Sequence, residues 1–272
     1  MSPLRASDLV WLPAGSSYPT PLFDPRATVQ AISLLNYDVE GEDEQVAYVP
    51  VTLSMKRQFV RINRSQNKFW EIGMSFSIYS QWSIVDVGEA FLGGLQNTDY
   101  RISGTGTYTW NASTHARISL FHQSSHLGDD YIIRNNITIP ALRTLNYEQI
   151  DINLTRLWGP WQLYTGLGYN VSPNTVRGRG TVQIGFERAH LVFKNQGYAL
   201  KYGCNVNMHE QNDYSPNIRA GFGIEMGRNT ATPFTVMVSA YTGHLPYSTL
   251  EYQRVRLLGL SLVFNVPGSR YY

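Results

Sequence analysis

A His-x-Ser pair, His122 and Ser124, is the feature of this sequence that most directly suggests chemistry. Hydrolysis of an acyl ester by a serine needs a base within hydrogen-bond reach of the hydroxyl and a third group that orients the base. Side chains two residues apart on a β-strand lie on the same face, so these two can meet if the stretch is a strand. Ser124 is the candidate nucleophile and His122 the candidate base. His126 has the same parity and is a second candidate for the base.

The residues before the pair alternate with the period of a strand. Ala116, Ile118 and Leu120 lie on one face, and the same parity continues to His122 and Ser124. If that face contacts lipid, two polar side chains lie against acyl chains, where an unpaired polar group is costly. The significance of the pair therefore depends on whether the chain is a membrane barrel.

The residues that follow the pair offer several partners for the histidine. Asn135 lies on the apolar face of its segment by local alternation, which suits a site on the lipid side. Asp129 and Asp130 follow the motif directly and could orient the imidazole or bind a hard cation such as Ca²⁺. No other cofactor is indicated.

The composition narrows the class of protein. Among 272 residues, 15% are charged and 13% aromatic, and the net charge of +2 gives no reason to expect nucleic acid as a partner. The single cysteine, Cys204, excludes an internal disulfide and a cysteine-cluster metal site. No apolar run is long enough for a transmembrane helix. The first residues, MSPLRASDL, lack the apolar core of a signal peptide, so we expect a mature form.

Alternation like that before His122 recurs along the chain and predicts about twelve strands. Their ranges are 27–37, 47–62, 68–81, 98–110, 115–125, 146–157, 160–170, 180–188, 190–208, 214–227, 233–243 and 253–265. One face of each is apolar, and the other is polar or glycine. Short connections, one of them at Ala189, alternate with longer ones. An even number of such segments with that rhythm is typical of bacterial outer-membrane barrels.

We therefore predict an all-β protein, a single transmembrane antiparallel β-barrel over residues 27–272 after an irregular periplasmic segment at 1–26. A soluble sandwich or lipocalin-like barrel is the alternative, but charged residues mixed with glycine on the polar faces favour a wet lumen. Twelve strands enclose a small lumen, crowded here by Arg, Glu, Gln and Tyr, which argues against a wide porin. The tryptophans expected in the interfacial girdles are Trp70, Trp110, Trp158 and Trp161.

Four further stretches carry a resemblance that covers most of the chain. They are HQSSHLGDDY, LNYEQIDI, YTGLGY and SAYTGH, and they resemble a family of bacterial outer-membrane proteins known only as a domain of unknown function. The resemblance implies the barrel and an integral outer-membrane location, with outer-membrane lipids and the barrel assembly machinery as partners. It implies no activity.

A local resemblance concerns the HQSS motif at His122–Ser125. It is similar to the HQSN motif of outer-membrane phospholipase A, and the lipid A 3-O-deacylase barrel has a comparable His-x-Ser. This implies that Ser124 is the nucleophile and His122 the base. The third member is an Asn about fourteen residues on in the phospholipase, which implies Asn136 here, and a Glu at a comparable distance in the deacylase. Local alternation puts Asn136 on the polar face, so the third member stays open.

Two functions follow as hypotheses. The first is an outer-leaflet lipid acyl-ester hydrolase that uses Ser124 and His122. The second is a non-enzymatic outer-membrane barrel, either a narrow channel or a protein that docks a partner. In that case, the polar pair would only mark where the strand leaves the hydrocarbon.

Overall fold

The protein is an antiparallel β-barrel in a computed structural model that describes residues 9–40, 46–65, 67–86, 91–138, 145–172, 177–193, 197–228, 230, 233–246 and 249–264. Its strands are β1 (Leu9–Trp11), β2 (Gln30–Val39), β3 (Val46–Ser65), β4 (Lys68–Asp86), β5 (Phe91–Asn111), β6 (Thr114–Leu127), β7 (Leu145–Trp158), β8 (Trp161–Asn170), β9 (Gly180–Phe193), β10 (Tyr198–His209), β11 (Asn217–Met226), β12 (Phe234–His244) and β13 (Arg254–Phe264). Within the described residues, one α-helix, α1 (Asp129–Arg134), and one 3₁₀ turn (Glu210–Asn212) interrupt them.

Strands β2 to β13 pair in chain order, and the barrel closes where β13 pairs with β2. The described residues therefore confirm the predicted all-β class and the twelve-stranded antiparallel barrel. Strand β1 is an addition that pairs with β3 at Leu9↔Ile62, beyond the part of β3 that β2 covers. Among the described residues, no helix is long and apolar enough to cross a membrane.

The strand alternation separates an apolar outer wall from a polar interior. On β7, Ile152 and Leu154 are exposed on the outside, whereas Asp151 and Asn153 are buried inside. The four tryptophans expected in girdles lie at strand ends beside short turns, and we call this side of the barrel the short-turn end. The opposite side, which includes α1 and the connection between β12 and β13, is the long-loop end. An apolar exterior around a polar, filled interior is typical of a membrane barrel.

One predicted turn was wrong, and several strand boundaries differ from the predicted ones. We expected a strand to end at 188, a turn at Ala189 and the next strand at 190–208, but β9 continues through Ala189 to Phe193 and β10 begins at Tyr198. Strand β5 begins at Phe91 rather than at 98. Ala189 pairs with Lys201 of β10, so it is part of the ladder. Cross-strand pairing, which the local pattern does not show, extends the strand there. The tail at 265–272, which we assigned to the barrel domain, lies outside the described residues.

The N-terminal segment enters the barrel. Residues 16–24 are mostly buried, which the sequence pattern did not suggest for a segment expected to be irregular and periplasmic. The Ser17 hydroxyl and backbone N–H both donate to Glu71 Oε2, at 2.7 and 2.9 Å. Arg26 forms an ion pair with Asp151 at 3.3 Å. We call residues 13–29 the luminal segment.

Apolar and aromatic contacts complete the packing of the luminal segment. Leu22, Phe23, Ala27 and Val29 form a buried cluster with Met237 and Val263 of the wall. Phe23 fits where the wall carries glycines: a Cβ at Gly203 or Gly221 would lie 2.7 Å from its ring. Such a contact is shorter than van der Waals packing allows, so glycine is required at both positions.

The connection between β12 and β13 covers the lumen at the long-loop end. Leu245 and Leu250 are buried there against Tyr37 and Tyr48 of the wall. Two cavities in the middle of the lumen and toward this end have volumes of only about 20 and 30 Å³. A larger cavity of about 360 Å³, lined among others by Phe23, Gln162, Glu187 and Lys201, lies toward the short-turn end. The interior is therefore closely packed toward the long-loop end and more open toward the short turns.

Candidate functional site

The candidate site lies on the outer wall, where β6 leaves the apolar belt. Continuing the parity of Ile118 and Leu120, the side chains of His122, Ser124 and His126 point outward, and the alternate residues are buried inside. The His122 side chain is 45% exposed, which shows that it is not part of the luminal network. The structure thus places the three candidate residues of β6 on one face, as the alternation predicted.

A carboxylate lies directly opposite His122. In the β6–β7 register, His122 pairs with Glu148, and His122 Nδ1 is 2.8 Å from Glu148 Oε1. The second carboxylate oxygen, Oε2, accepts a hydrogen bond of 2.5 Å from the Ser172 hydroxyl. The backbone N–H of Glu148 donates to Ser172 Oγ at 2.6 Å. These contacts hold the carboxylate in place beside the imidazole.

The Ser124 hydroxyl contacts the other histidine. Its Oγ is 2.5 Å from His126 Nε2. The ring of His126 packs edge-on against Tyr100, with centroids 6.1 Å apart. Tyr100 lies directly opposite Ser124 in the β5–β6 register. The nucleophile candidate therefore stands between two imidazoles, hydrogen-bonded to His126 and two residues from His122.

This arrangement brings together a serine, two histidines and a carboxylate, the side-chain types that a serine hydrolase uses. A serine hydroxyl rotates about χ1, so Ser124 Oγ can turn from His126 along the strand toward His122. An imidazole that donates Nδ1–H to a carboxylate presents a basic Nε2 and is stabilised when it takes up a proton. His122 has such a carboxylate in Glu148.

The other predicted partners lie in a different place. Asn135 ends α1, and its side-chain amide donates to the Tyr131 carbonyl at 2.9 Å. Asn136 follows with a left-handed φ of 51°. Asp130 accepts a hydrogen bond of 2.9 Å from the backbone N–H of Leu95. The alternation assumed for these residues does not hold, because the chain turns into α1 against β5 rather than continuing as a strand. The described side-chain contacts of these residues therefore do not join them to His122.

The predicted cation ligands share that helix. Asp129 and Asp130 occupy the first turn of α1. Among the residues that the structure describes, no group of three or more His, Cys, Asp or Glu side chains is placed to hold a metal ion.

Sequence reasoning missed Glu148, although the sequence contained a signal for it. Glu148 has the parity of Ile150, Ile152 and Leu154, the apolar face of β7. A carboxylate with lipid-facing parity is as unusual as the histidine opposite it. Only the register between β6 and β7 shows that the two are neighbours.

A family model described as "Protein of unknown function (DUF1207)" matches residues 4–266. The chain belongs to this family. This DUF1207 protein matches no curated protein. Solved structures resemble it in fold at low identity. Outer membrane phospholipase A from Escherichia coli is 14% identical, covers 88% of this chain and 92% of its own, and has a TM-score of 0.58.

A second solved structure gives the same result. The Salmonella typhi outer membrane phospholipase, a dimer with bound calcium, is 14% identical and covers 89% of the DUF1207 chain and 94% of its own, with a TM-score of 0.60. At this identity, the likeness shows a shared outer-membrane barrel fold.

Proposed function

We propose that this protein is an integral outer-membrane hydrolase that cleaves acyl esters of outer-leaflet lipids. The observation that carries the proposal is a serine–histidine hydrogen bond on the outward wall beside a histidine–carboxylate pair. The long-loop end is extracellular if the barrel follows the bacterial pattern, so the site lies at the level of outer-leaflet lipids. These lipids are the substrates, and the barrel assembly machinery is the partner that inserts the chain.

In the proposed reaction, His122 Nε2 takes the proton of Ser124 Oγ while Oγ attacks the ester carbonyl carbon. The protonated imidazole, stabilised by Glu148, then gives its proton to the leaving alcohol as the carbon–oxygen bond of the ester breaks. Water, deprotonated by the same imidazole, hydrolyses the acyl-serine and restores the hydroxyl. His126 holds Ser124 in the resting state.

Three variants in folded protein test this mechanism. Ser124→Ala should abolish fatty-acid release from phosphatidylethanolamine vesicles and from lipid A, and it should abolish labelling by a fluorophosphonate. His122→Asn should lower the rate by about 10³-fold, as loss of a general base does in serine hydrolases. His126→Asn should have a smaller effect. Full activity in Ser124→Ala would overturn the proposal.

The effects of the two histidine variants identify the base. If His126→Asn abolishes turnover and His122→Asn does not, the base is His126 and the role assigned to Glu148 is wrong. Fluorophosphonate labelling reports an activated serine without requiring the natural lipid, so a negative lipid assay with positive labelling would point to another acyl substrate.

The channel hypothesis requires a change in the lumen. The luminal segment is buried inside the barrel and packs against its wall. A channel would therefore open only if this segment left the lumen.

A further inference from the structure

A groove on the outer wall lies on the opposite half of the barrel height from the candidate hydrolase site. It has a volume of about 610 Å³ and spans β7 to β10. Its lining includes Leu154, Leu163, Thr165, Ile184, Phe186 and Val206. We call it the outer groove.

The outer groove results from a small side chain among large ones. Thr165 pairs with Leu154 on one side and with Ile184 on the other. Its hydroxyl donates to the Gln183 carbonyl at 2.9 Å and so is satisfied within the wall. The short threonine leaves a depression between longer apolar side chains, and its lining offers almost only carbon to an occupant.

One guanidinium group lines the outer groove toward the short-turn end, and a second lies just beyond it. Arg156 lines the groove, and its Nη1 donates to the Thr114 hydroxyl. Arg188 lies outside the lining, on the same outer face and two residues closer to the short turns. It lies over the Trp161 ring at 4.8 Å and donates to the Tyr202 hydroxyl at 3.1 Å.

Neither cation is neutralised by an acidic side chain. Within the described part of the chain, no carboxylate lies within 4.0 Å of Arg156 or Arg188, although other arginines form such pairs. A buried Arg188 Nε also has no hydrogen-bond partner among those residues. The two groups leave a positive charge at the end of an apolar depression.

The outer groove lies within the depth of one membrane leaflet. The strand path from Trp161 at the aromatic level to Thr165 in the groove covers four residues, or about 13 Å along the strand and about 10 Å along the membrane normal at a strand tilt of about 40°. Half of a bilayer hydrocarbon core is about 15 Å. Trp161, with its neighbours Trp158 and Tyr202, marks the aromatic level at which headgroups begin. A lipid whose phosphate lies at Arg156 and Arg188 would thus lay an acyl chain along the groove.

We propose that the outer groove binds one phosphate-bearing glycerophospholipid of the periplasmic leaflet. Its acyl chain covers Thr165, and its phosphate accepts hydrogen bonds from Arg156 and Arg188. Guanidinium groups suit this role because they present a fork of donors to a phosphate. The site is independent of the proposed hydrolase, which faces the other leaflet.

Native mass spectrometry of the detergent-purified full chain tests the proposal with two probes. These are dimyristoylphosphatidylglycerol and dimyristoylglycerol, which lacks the phosphate. We expect the phospholipid to remain bound at one copy per barrel under activation that removes other lipid. We expect dimyristoylglycerol to be lost. Retention of both probes alike would overturn the role of the phosphate.

Variants separate the two parts of the site. Arg156→Gln with Arg188→Gln should lower the retained phospholipid about tenfold or more, because charge-assisted hydrogen bonds are lost. Arg57→Gln removes another outward arginine and is the matched control, expected to bind like the parent. Thr165→Trp fills the groove and should abolish binding.

Folding of each variant is checked by the shift in gel mobility between heated and unheated samples. Equal retention in the double arginine variant and in Arg57→Gln would overturn the proposal, as would binding unaffected by Thr165→Trp. A dimer that forms without lipid and is lost in Thr165→Trp would also overturn it, since a second copy would then be the occupant.

Discussion

At the scale of single residues, the outward surface of β6 and β7 carries two histidines and a carboxylate where these strands leave the apolar belt. His122 and Glu148 stabilise each other by a direct hydrogen bond across the strands. Desolvation of an unpaired charge at a lipid boundary is costly, so pairing lowers the cost of keeping both residues there. Ser172 adds a second hydrogen bond to the carboxylate. The end of a strand needs no hydrogen-bonded ion pair with a further serine contact in order to be soluble. Solubility alone therefore does not account for this pair.

Glu148→Gln tests whether the carboxylate positions the proposed base. We expect the hydrolytic rate to fall by about 10²-fold or more while KM changes little, because an amide no longer stabilises the imidazolium. Initial rates across a pH series measure this. Glu148→Asp should restore part of the rate.

Glu40→Gln is the matched control for Glu148→Gln. Glu40 pairs with Arg254 at 3.1 Å on the exposed long-loop end, remote in sequence from β6 and β7. We expect the hydrolytic rate of Glu40→Gln to equal that of the parent. If both variants kept the parent rate and pH profile, Glu148 would have no role in catalysis.

At the scale of elements, the luminal segment is held inside the barrel by contacts with several strands. It is held by the Glu71–Ser17 hydrogen bonds, by the Arg26–Asp151 ion pair and by the apolar cluster around Phe23. A further hydrogen bond of 2.9 Å joins the Tyr18 hydroxyl to Thr155. Contacts of three kinds on several strands make spontaneous departure unfavourable.

Removal of residues 1–24 should open the barrel. We expect a stable conductance in planar lipid bilayers that the full-length protein lacks, because the polar lumen would fill with water. The gel-mobility shift on heating establishes that the truncated barrel has folded. A folded truncated barrel that conducts no more than the parent would show that other elements close the lumen.

A disulfide between the luminal segment and the barrel wall is the matched control for this truncation. Ser17 Oγ and Thr109 Oγ1 are 3.3 Å apart, so cysteines at both positions, with Cys204→Ala, are close enough for a disulfide to be attempted. The oxidised full-length protein should stay closed under high voltage. Opening of the oxidised form would place the conducting path outside the luminal segment.

At the scale of the whole molecule, the distribution of polarity is inverted relative to a soluble protein. Buried positions inside the barrel include Glu71, Gln81 and Asn205, while the exposed wall carries Leu, Ile, Met and Phe. In water, this wall would be a continuous apolar surface far larger than soluble proteins tolerate. Lipid is the solvent that makes it favourable.

Two isoleucine substitutions test whether the apolar outer wall contacts lipid. Ile152 is 53% exposed on β7, and Ile133 is 75% exposed on α1. Ile152→Arg should lower the free energy of unfolding by about 2–4 kcal/mol in lipid vesicles, the cost of arginine on a lipid-facing strand near the midplane. Ile133→Arg should change it by less than about 0.5 kcal/mol, as expected for a surface position in water.

Urea-dependent tryptophan fluorescence in vesicles measures both variants. Because the two side chains are exposed in the protein alone, a difference between them comes from the surrounding medium. Equal and small effects would mean that the Ile152 face contacts water.

The alternation of side chains made the barrel predictable from the sequence. The sequence of each strand shows which side chains share a face, because the side-chain period of two depends on no distant contact. The number of strands and the outward direction of His122, Ser124 and His126 followed from that alone. Glu148 was also outward by parity.

The tertiary structure determined which of these side chains are neighbours. The partner of His122 depends on the β6–β7 register across a connection that contains α1, and α1 moves Asn135 and Asp130 away from the strand. The burial of residues 16–24 depends on twelve strands closing around them, a long-range event that leaves no local period in the segment. Local alternation therefore determined on which face of the wall each side chain lies, whereas strand register and barrel closure determined which side chains are in contact.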